Sequence, residues 1–79
     1  MDNENLRIVV GKKQILRLTR ENELKQILIA TDADAEYVDS IVKVARAHNV
    51  RVVVQLTKEE IARLYGIDVP SGGVGFLKD

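Results

Sequence analysis

The segment from Gly11 to Arg17 carries the residues of this sequence that are best suited to binding chemistry. Gly11 lets the backbone approach a ligand closely, and N–H groups at the start of a helix that follows it favour an anion such as phosphate. Lys13, Gln14 and Arg17 project within one helical turn, so two cationic donors stand beside an amide that both donates and accepts. This set suits the edges of purine bases in an open groove, and an ordinary basic helix face is the alternative.

The distribution of charge points to the same part of the chain. Although the formal net charge is +0, the stretch from Arg7 to Arg20 holds five basic residues and no acidic one. The remaining 65 residues carry seven basic and twelve acidic side chains, so they balance the basic stretch with a net charge of −5. Because salt confines each charge's influence to about 10 Å, a local excess attracts polyanions even in a neutral protein.

Other chemistries find little support in the composition. With no Cys and one His, the chain has no disulfide or thiolate chemistry and cannot assemble the usual zinc sites. Asp32 and Asp34 suit a magnesium site, but Asp34 as a helix N-cap explains the acidic residues without a metal. His48, near the C-terminal end of the same helix, is expected to compensate the helix dipole there. No nucleophile lies beside a base, so we expect no catalytic residue, metal or cofactor; a small metal-dependent enzyme using the two aspartates is the least favoured class.

Hydrophobic periodicity supplies the elements that position these residues. Aliphatic runs at Gln26–Ala30 and Val50–Leu56 predict two central strands, each buried on both faces of the sheet. Between them, Asp34–His48 has the apolar spacing of an amphipathic helix, which completes a βαβ unit. Helices at Lys12–Asn22 and Lys58–Tyr65 are expected to cover the opposite face of the sheet.

Local signals mark the ends of the second half of the chain. Thr57 and Glu60 form a predicted capping box, and Gly66 supplies the left-handed residue that ends the helix. Short terminal strands are predicted at residues 7–10 and 74–77. The resulting order, β-α-β-α-β-α-β, predicts an α/β fold: a three-layer α/β/α sandwich with a small mixed sheet of about four strands. Its predicted functional surfaces are the turns at residues 10–13, 31–36 and 68–73.

The size of the chain predicts one domain over residues 1–79. Its start is acidic and polar rather than basic and apolar, and no apolar run reaches membrane-spanning length, so we expect a cytoplasmic monomer without a membrane segment. Tyr37, Tyr65 and Phe76 are too few and too scattered for a base-stacking platform and are expected to pack in the core or at its edge. The Gly-rich stretch from Ser71 to Gly75 leads into a strand rather than a helix, which favours a flexible loop and close backbone approach over a phosphate cradle.

In order and spacing, five blocks of the sequence resemble the L7Ae/L30e ribosomal protein family, most of all its short bacterial members. The blocks are Gly11–Arg17, Ile27–Asp34, Asn49–Val52, Thr57–Ile61 and Tyr65–Val69. The resemblance covers the chain from about Arg7 to Leu77, and the succession of blocks is more specific than any one of them.

The resemblance implies a protein that binds kink-turns, RNA internal loops in which tandem sheared G·A pairs accompany a sharp bend. The family's pattern is Gly, any residue, Asn or Lys, Glu or Gln, two further residues, then Lys or Arg. This chain matches it with Gly11, Lys13, Gln14 and Arg17. By the resemblance, Lys13, Gln14 and Arg17 address the guanines of the G·A pairs, while Gly11 and Lys12 meet the RNA backbone.

The family's second contact is a loop before the last strand, which touches nucleotides of the bulge. Here it falls on residues 69–72, and many bacterial members have a Gly-Ala-Ala stretch where this chain has residues 70–73. The RNA-binding residues predicted from the resemblance and the basic helix together are Gly11, Lys12, Lys13, Gln14, Arg17, Arg20, Val69, Pro70, Ser71 and Gly72. The expected partner is a structured RNA with a kink-turn, in ribosomal RNA or an mRNA leader, and through it the ribosome. The alternative is a protein-interaction module that keeps the fold and uses its helical faces for a partner.

Overall fold

A computed structural model describes residues 7–68 and 70–78, which form helices and strands in alternating order. The elements are β1 (Ile8–Val10), α1 (Lys12–Arg20), β2 (Leu24–Ile29), α2 (Ala35–Ala47), β3 (Arg51–Val54), α3 (Lys58–Tyr65) and β4 (Gly73–Leu77). Helix α1 ends two residues earlier than predicted, and Asn22 then takes a left-handed conformation with φ 60°. The predicted order of elements is confirmed throughout.

The strands form one mixed sheet in the order β1-β4-β2-β3. Strands β2 and β3 are parallel, with Leu28 opposite Val53, whereas β4 runs antiparallel to both β1 and β2. The prediction that residues 50–56 form a central strand is therefore wrong, because β3 lies at the edge of the sheet. Its apolar run reflects cover on both faces instead: Val52 packs against the cluster on one face and Val53 against the cluster on the other.

Two apolar clusters hold the helices on the sheet, one on each face. The alternation of β2 divides its side chains between them, with Ile27 and Ile29 in one cluster and Leu28 in the other. Ile15 of α1 joins the first cluster together with Ile41 of α2. The buried residues of the first cluster are Ile15, Leu18, Leu24, Ile27, Ile29, Ile41 and Ala45; those of the second are Leu28, Ala30, Ile61 and Val74.

This division corrects one expectation and confirms the fold class. Helix α1 packs beside α2 on the first face and leaves the second face to α3, so only one of the two helices predicted to cover that face does so in the part of the chain that is described. The three layers are α1 with α2, the sheet, and α3. No helix in residues 7–68 or 70–78 has the length and apolarity needed to cross a membrane.

The predicted capping box of α3 is confirmed in both of its hydrogen bonds. The Glu60 backbone N–H donates to the Thr57 hydroxyl at 3.2 Å, and the Thr57 N–H donates to the Glu60 carboxylate at 2.8 Å. Gly66 follows at φ 67° and ψ 34°, as its predicted left-handed role requires.

The acidic residues before α2 act differently from the prediction. Asp34 occupies the N-cap position of α2, but its side chain makes no capping hydrogen bond. Asp32 instead accepts a hydrogen bond from the backbone N–H of Lys58 at 2.9 Å and so satisfies the first turn of α3. His48 is the C-cap residue of α2, where it was expected, and its Nδ1 lies 3.4 Å from the Asn22 side-chain oxygen.

Candidate nucleic-acid interface

The three turns predicted to carry function lie together at one end of the sheet, where β1 and β2 end and β4 begins. Since β1 and β2 both run antiparallel to β4, their ends lie beside the start of β4. The Gly11 N–H donates to the Gly73 carbonyl at 3.3 Å, and the Ala30 N–H donates to the Gly72 carbonyl at 2.8 Å. The start of α1, the turn into α2 and the residues before β4 therefore form one continuous surface.

The start of α1 is open and carries no negative charge. Its N-cap residue, Gly11, has φ 96° and ψ 151°, makes no side-chain capping bond, and is followed by a first turn without acidic residues. A Cβ built at Gly11 meets nothing within 4 Å, so the space over this turn is free for a ligand. The unpaired N–H groups and the positive end of the helix dipole favour a phosphate or another anion here.

The exposed face of α1 presents a row of basic residues. Lys13, Arg17 and Arg20 are exposed and follow the i, i+4, i+7 spacing of one helix face. Ile15 and Leu18 face the opposite way and are buried in the first apolar cluster. The packing of Ile15 and Leu18 therefore fixes the orientation of α1, and the charged groups of the basic row stay in solvent.

Gln14 and Arg17 are already paired in the free protein. The Arg17 guanidinium donates to the Gln14 side-chain oxygen from Nη2 at 2.9 Å and from Nε at 3.2 Å. Its Nη1 also lies 3.5 Å from the Glu21 carboxylate in an ion pair that is more than half exposed, and such pairs contribute little to stability. Because Arg17 holds the Gln14 oxygen through two hydrogen bonds, the Gln14 amide hydrogens are left for a partner.

The 70–72 loop, which precedes β4, consists of Pro70, Ser71 and Gly72. Pro70 is exposed, whereas Ser71 and Gly72 are half-buried. The Ser71 hydroxyl donates to the Gly73 carbonyl at 3.0 Å and accepts from the Gly73 N–H at 3.4 Å. These bonds fix the backbone of the loop beside Gly11. Val69, the fourth residue predicted for this contact, lies outside the described residues.

Lys12 points away from the row on α1 and toward Tyr37. Lys12 is half-buried, and its Nζ lies 5.9 Å from the centroid of the Tyr37 ring, at the outer limit of a cation–π contact. The prediction that Tyr37 packs in the core or at its edge is confirmed, since it packs against the first apolar cluster, but its place beside the site was missed. The available signal was its position in the first turn of α2, directly after one of the three turns expected to carry function.

The Tyr37 hydroxyl is buried and has no hydrogen-bond partner among the described residues. Burial raises the pKa of this hydroxyl above its ordinary value of 10.0, and the neighbouring Ser71 hydroxyl offsets part of that rise. In the neutral tyrosine, Ser71 gives its own hydrogen bond to the Gly73 carbonyl. Because its pKa lies above 10.0, the phenol stays protonated at neutral pH, and its oxygen faces the loop beside Gly73.

The glycines of β4 serve close packing. A Cβ at Gly75 would lie 2.8 Å from a Leu24 methyl carbon, and one at Gly73 would lie 3.3 Å from the Leu28 carbonyl oxygen. The close backbone approach expected of this stretch is confirmed, whereas a flexible loop is wrong from Gly73 onward, where the buried strand β4 begins. Among residues 7–68 and 70–78, no cluster of three or more His, Asp or Glu side chains could hold a metal ion.

These features define a small α/β/α protein with a basic helix start and a glycine-containing loop at one sheet edge. Over residues 2–79 the sequence matches the ribosomal protein L7Ae/L30e/S12e/Gadd45 family, and the chain belongs to that family.

Relatives and solved structures agree with this assignment. RNA-binding protein YbxF of Geobacillus stearothermophilus is 28% identical over 72 residues, which cover 91% of this chain and 88% of the relative. An RNA-binding protein of Caldanaerobacter subterraneus subsp. tengcongensis is 34% identical over 61 residues, covering 77% of this chain and 74% of the relative. The structure of the Giardia lamblia 15.5kD RNA binding protein superimposes with a TM-score of 0.84 at 23% identity, covering 91% of this chain and 61% of that one, and it confirms the fold.

Proposed function

We propose that this chain is a non-enzymatic RNA-binding protein that recognises kink-turns and holds the RNA bent. The observation that carries the proposal is the exposed Gln14–Arg17 pair on the open first turns of α1, with Lys13 beside it. Relatives that match most of the chain are named RNA-binding proteins, which supports an RNA partner for the same fold.

The chemistry of the pair suits guanine in particular. Arg17, Lys13 and the free amide hydrogens of Gln14 donate to acceptors such as the O6 and N7 atoms of guanine, while the Gln14 oxygen stays paired with Arg17. The open N–H groups after Gly11 and the ammonium of Lys12 then take the phosphates that the bend brings together.

The natural partner in this proposal is a kink-turn in ribosomal RNA or in an mRNA leader, bound by one copy of the protein in the cytoplasm. No cofactor is required, since both contact surfaces come from the chain itself. A ribosomal and a regulatory role use the same interface, so they are distinguished by the RNA that copurifies with the protein.

The decisive experiment is a gel-shift titration with a standard kink-turn and with the same RNA after its G·A pairs have been changed. We expect tight binding to the first RNA and at least tenfold weaker binding to the second, because each lost base contact is worth about 1–3 kcal/mol. Equal binding to both RNAs would indicate a non-specific basic patch. No binding to either RNA, together with a protein partner whose affinity is insensitive to salt, would favour the protein-interaction module.

A further inference from the structure

We propose that Tyr37 is a positioning residue that holds Lys12 and the 70–72 loop in one fixed arrangement, so that helix α1 and the loop bind RNA as a unit. The proposal deepens the RNA-binding role above and rests on it. Tyr37 lies on α2, which supplies none of the predicted RNA contacts.

The edge of the Tyr37 ring lies directly under the loop backbone. A Cβ built at Gly72 would be 3.0 Å from Cζ and 3.1 Å from Cε1 of the ring, tighter than ordinary van der Waals contact. A Cβ at Gly73 would be 3.4 Å from the hydroxyl oxygen. The ring therefore occupies the space that a side chain at Gly72 would need, and the loop rests on it.

The face of the same ring carries Lys12. The Lys12 ammonium lies 5.9 Å from the ring centroid, and the Lys12 side chain is half-buried rather than extended into solvent. One aromatic side chain thus contacts a cation on α1 with its face and the loop with its edge. If the loop shifts toward the ring, we expect the ring to tilt and the Lys12 ammonium to move with it.

The hydroxyl group is not needed for this packing. Among residues 7–68 and 70–78 it has no hydrogen-bond partner, and an unpaired buried hydroxyl lowers stability. Phenylalanine would keep both the face and the edge of the ring. We therefore expect the Tyr37 ring to be required for the arrangement of Lys12 and the 70–72 loop, and the hydroxyl group not to be required.

The first test uses the free protein and needs no RNA. In NMR spectra, the ε-methylene signals of Lys12 should be shifted by the ring current of Tyr37. We expect Tyr37→Leu to remove that shift and to move the amide signals of Ser71 and Gly72, and Tyr37→Phe to leave them near their original positions. Lys12 signals that are the same in the wild type and in Tyr37→Leu would overturn the proposal.

Gly72→Ala tests the connection between the two contacts. Gly72 is in the 70–72 loop, yet its substitution should move the Lys12 signals, because the added methyl group pushes on the ring. In a Tyr37→Leu background the same substitution should leave Lys12 unaffected, which is the non-additivity expected of residues coupled through a shared neighbour. Gly72→Ala and Tyr37→Phe also keep the proposal testable if Tyr37→Leu fails to fold.

The second test measures affinity for the kink-turn. Tyr37→Leu should weaken binding by about tenfold, comparable to the loss of one RNA contact, and should lower the salt dependence by about one phosphate contact, whereas Tyr37→Phe should bind within about twofold of wild type. Tyr65→Leu is the matched control, since Tyr65 packs edge-on against Phe76 with ring centroids 5.6 Å apart in the second apolar cluster. It should lower stability without changing the salt dependence.

The two tests fail in different ways. If the wild type binds the kink-turn tightly and Tyr37→Leu binds equally well with the same salt dependence, the positioning role is overturned and the proposed function stands. If the wild type does not bind the kink-turn at all, the proposed function fails, and the NMR comparison alone decides whether Tyr37 holds Lys12 and the loop together.

Discussion

The backbone N–H of Gly11 donates a hydrogen bond to the carbonyl oxygen of Gly73 at 3.3 Å. This bond extends the antiparallel pairing of β1 and β4 by one step beyond the pair formed by Val10 and Val74. It joins the residue that precedes α1 to the first residue of β4. Two contact segments from opposite ends of the sequence are thereby held side by side by the sheet itself.

Removing either member of the Gln14–Arg17 pair should weaken kink-turn binding. We expect Arg17→Ala or Gln14→Ala to lower the affinity by about 1–3 kcal/mol, because each removes a contact to a base edge. The fold should survive, since both side chains are exposed and Ile15 and Leu18 continue to anchor α1. Titration of the purified variants against the kink-turn measures the effect.

The matched control for this prediction is Arg63→Ala. Arg63 is also an exposed arginine on a helix, but α3 lies on the other face of the sheet. Its loss should change affinity much less than the loss of Arg17. The assignment of α1 as the reading surface would be wrong if Arg17→Ala and Gln14→Ala both bound like a tightly binding wild type.

Gly11 should be sensitive to any side chain for reasons of backbone conformation. Its φ of 96° and ψ of 151° lie in a region that essentially only glycine adopts, and residues forced into it cost about 1–3 kcal/mol. Gly11→Ala should therefore destabilise the protein by that amount, although its methyl group would meet open space. Urea denaturation measures the change, and a variant as stable as wild type would contradict this reading.

A useful comparison is Gly66→Ala, at the end of α3. Gly66 also has a positive φ with open space around it, but it lies in the ordinary left-handed region, where a side chain costs about 1–2 kcal/mol. This variant should lose stability and keep its RNA affinity, because Gly66 ends α3, which packs on the opposite face of the sheet from α1. Gly11→Ala should lose both.

Tyr37 should make stability depend on pH in alkaline solution. Its pKa is raised above 10.0 in the folded protein by burial, so the unfolded chain loses the phenolic proton first as the pH rises. The contribution of Tyr37 is therefore complete below pH 10.0 and falls as the pH rises from there through the folded-state pKa.

The pH effect is isolated by comparing wild type with Tyr37→Phe in urea denaturation at several values between about pH 9 and pH 11. Lys12, whose ammonium faces the ring, is present in both proteins. Stability relative to Tyr37→Phe should decline over this range. At neutral pH Tyr37→Phe should be at least as stable as wild type, because it lacks a buried hydroxyl that has no hydrogen-bond partner among the described residues. Parallel curves for the two proteins would exclude a raised pKa.

The protein should bend its RNA without altering it chemically. Two contact surfaces can use binding energy only to favour one RNA conformation over others. An end-labelled kink-turn should therefore shift to high energy transfer when the protein is added without magnesium, since cationic side chains replace the ions that screen the crowded phosphates. Tight binding with energy transfer still at its extended-state value would leave only non-specific attachment by a basic patch.

Local features of this protein were readable from its sequence. The capping box of Thr57 and Glu60, the left-handed Gly66 and the order of the seven elements all depend on residues close together along the chain, and the structure confirms each of them. The spacing of Lys13, Gln14 and Arg17 on one helix face is local in the same sense, because helical geometry alone brings them together.

Relationships between distant segments were decided by the tertiary structure. The insertion of β4 between β1 and β2 moved β3 to the edge, and an aliphatic run does not distinguish a central strand from an edge strand covered on both faces. The same is true of α1, whose apolar stripe fits either face of the sheet but packs beside α2.

The site shows the division most clearly. The sequence by itself determined which side chains α1 presents, because their directions follow from the helical repeat. It did not determine that Asp32 satisfies the Lys58 N–H of another helix, or that Tyr37 lies between Lys12 and Gly72. Those contacts form at the end of the sheet where the three turns lie side by side. The turns lie there because of the strand order, which depends on the burial of the whole chain at once.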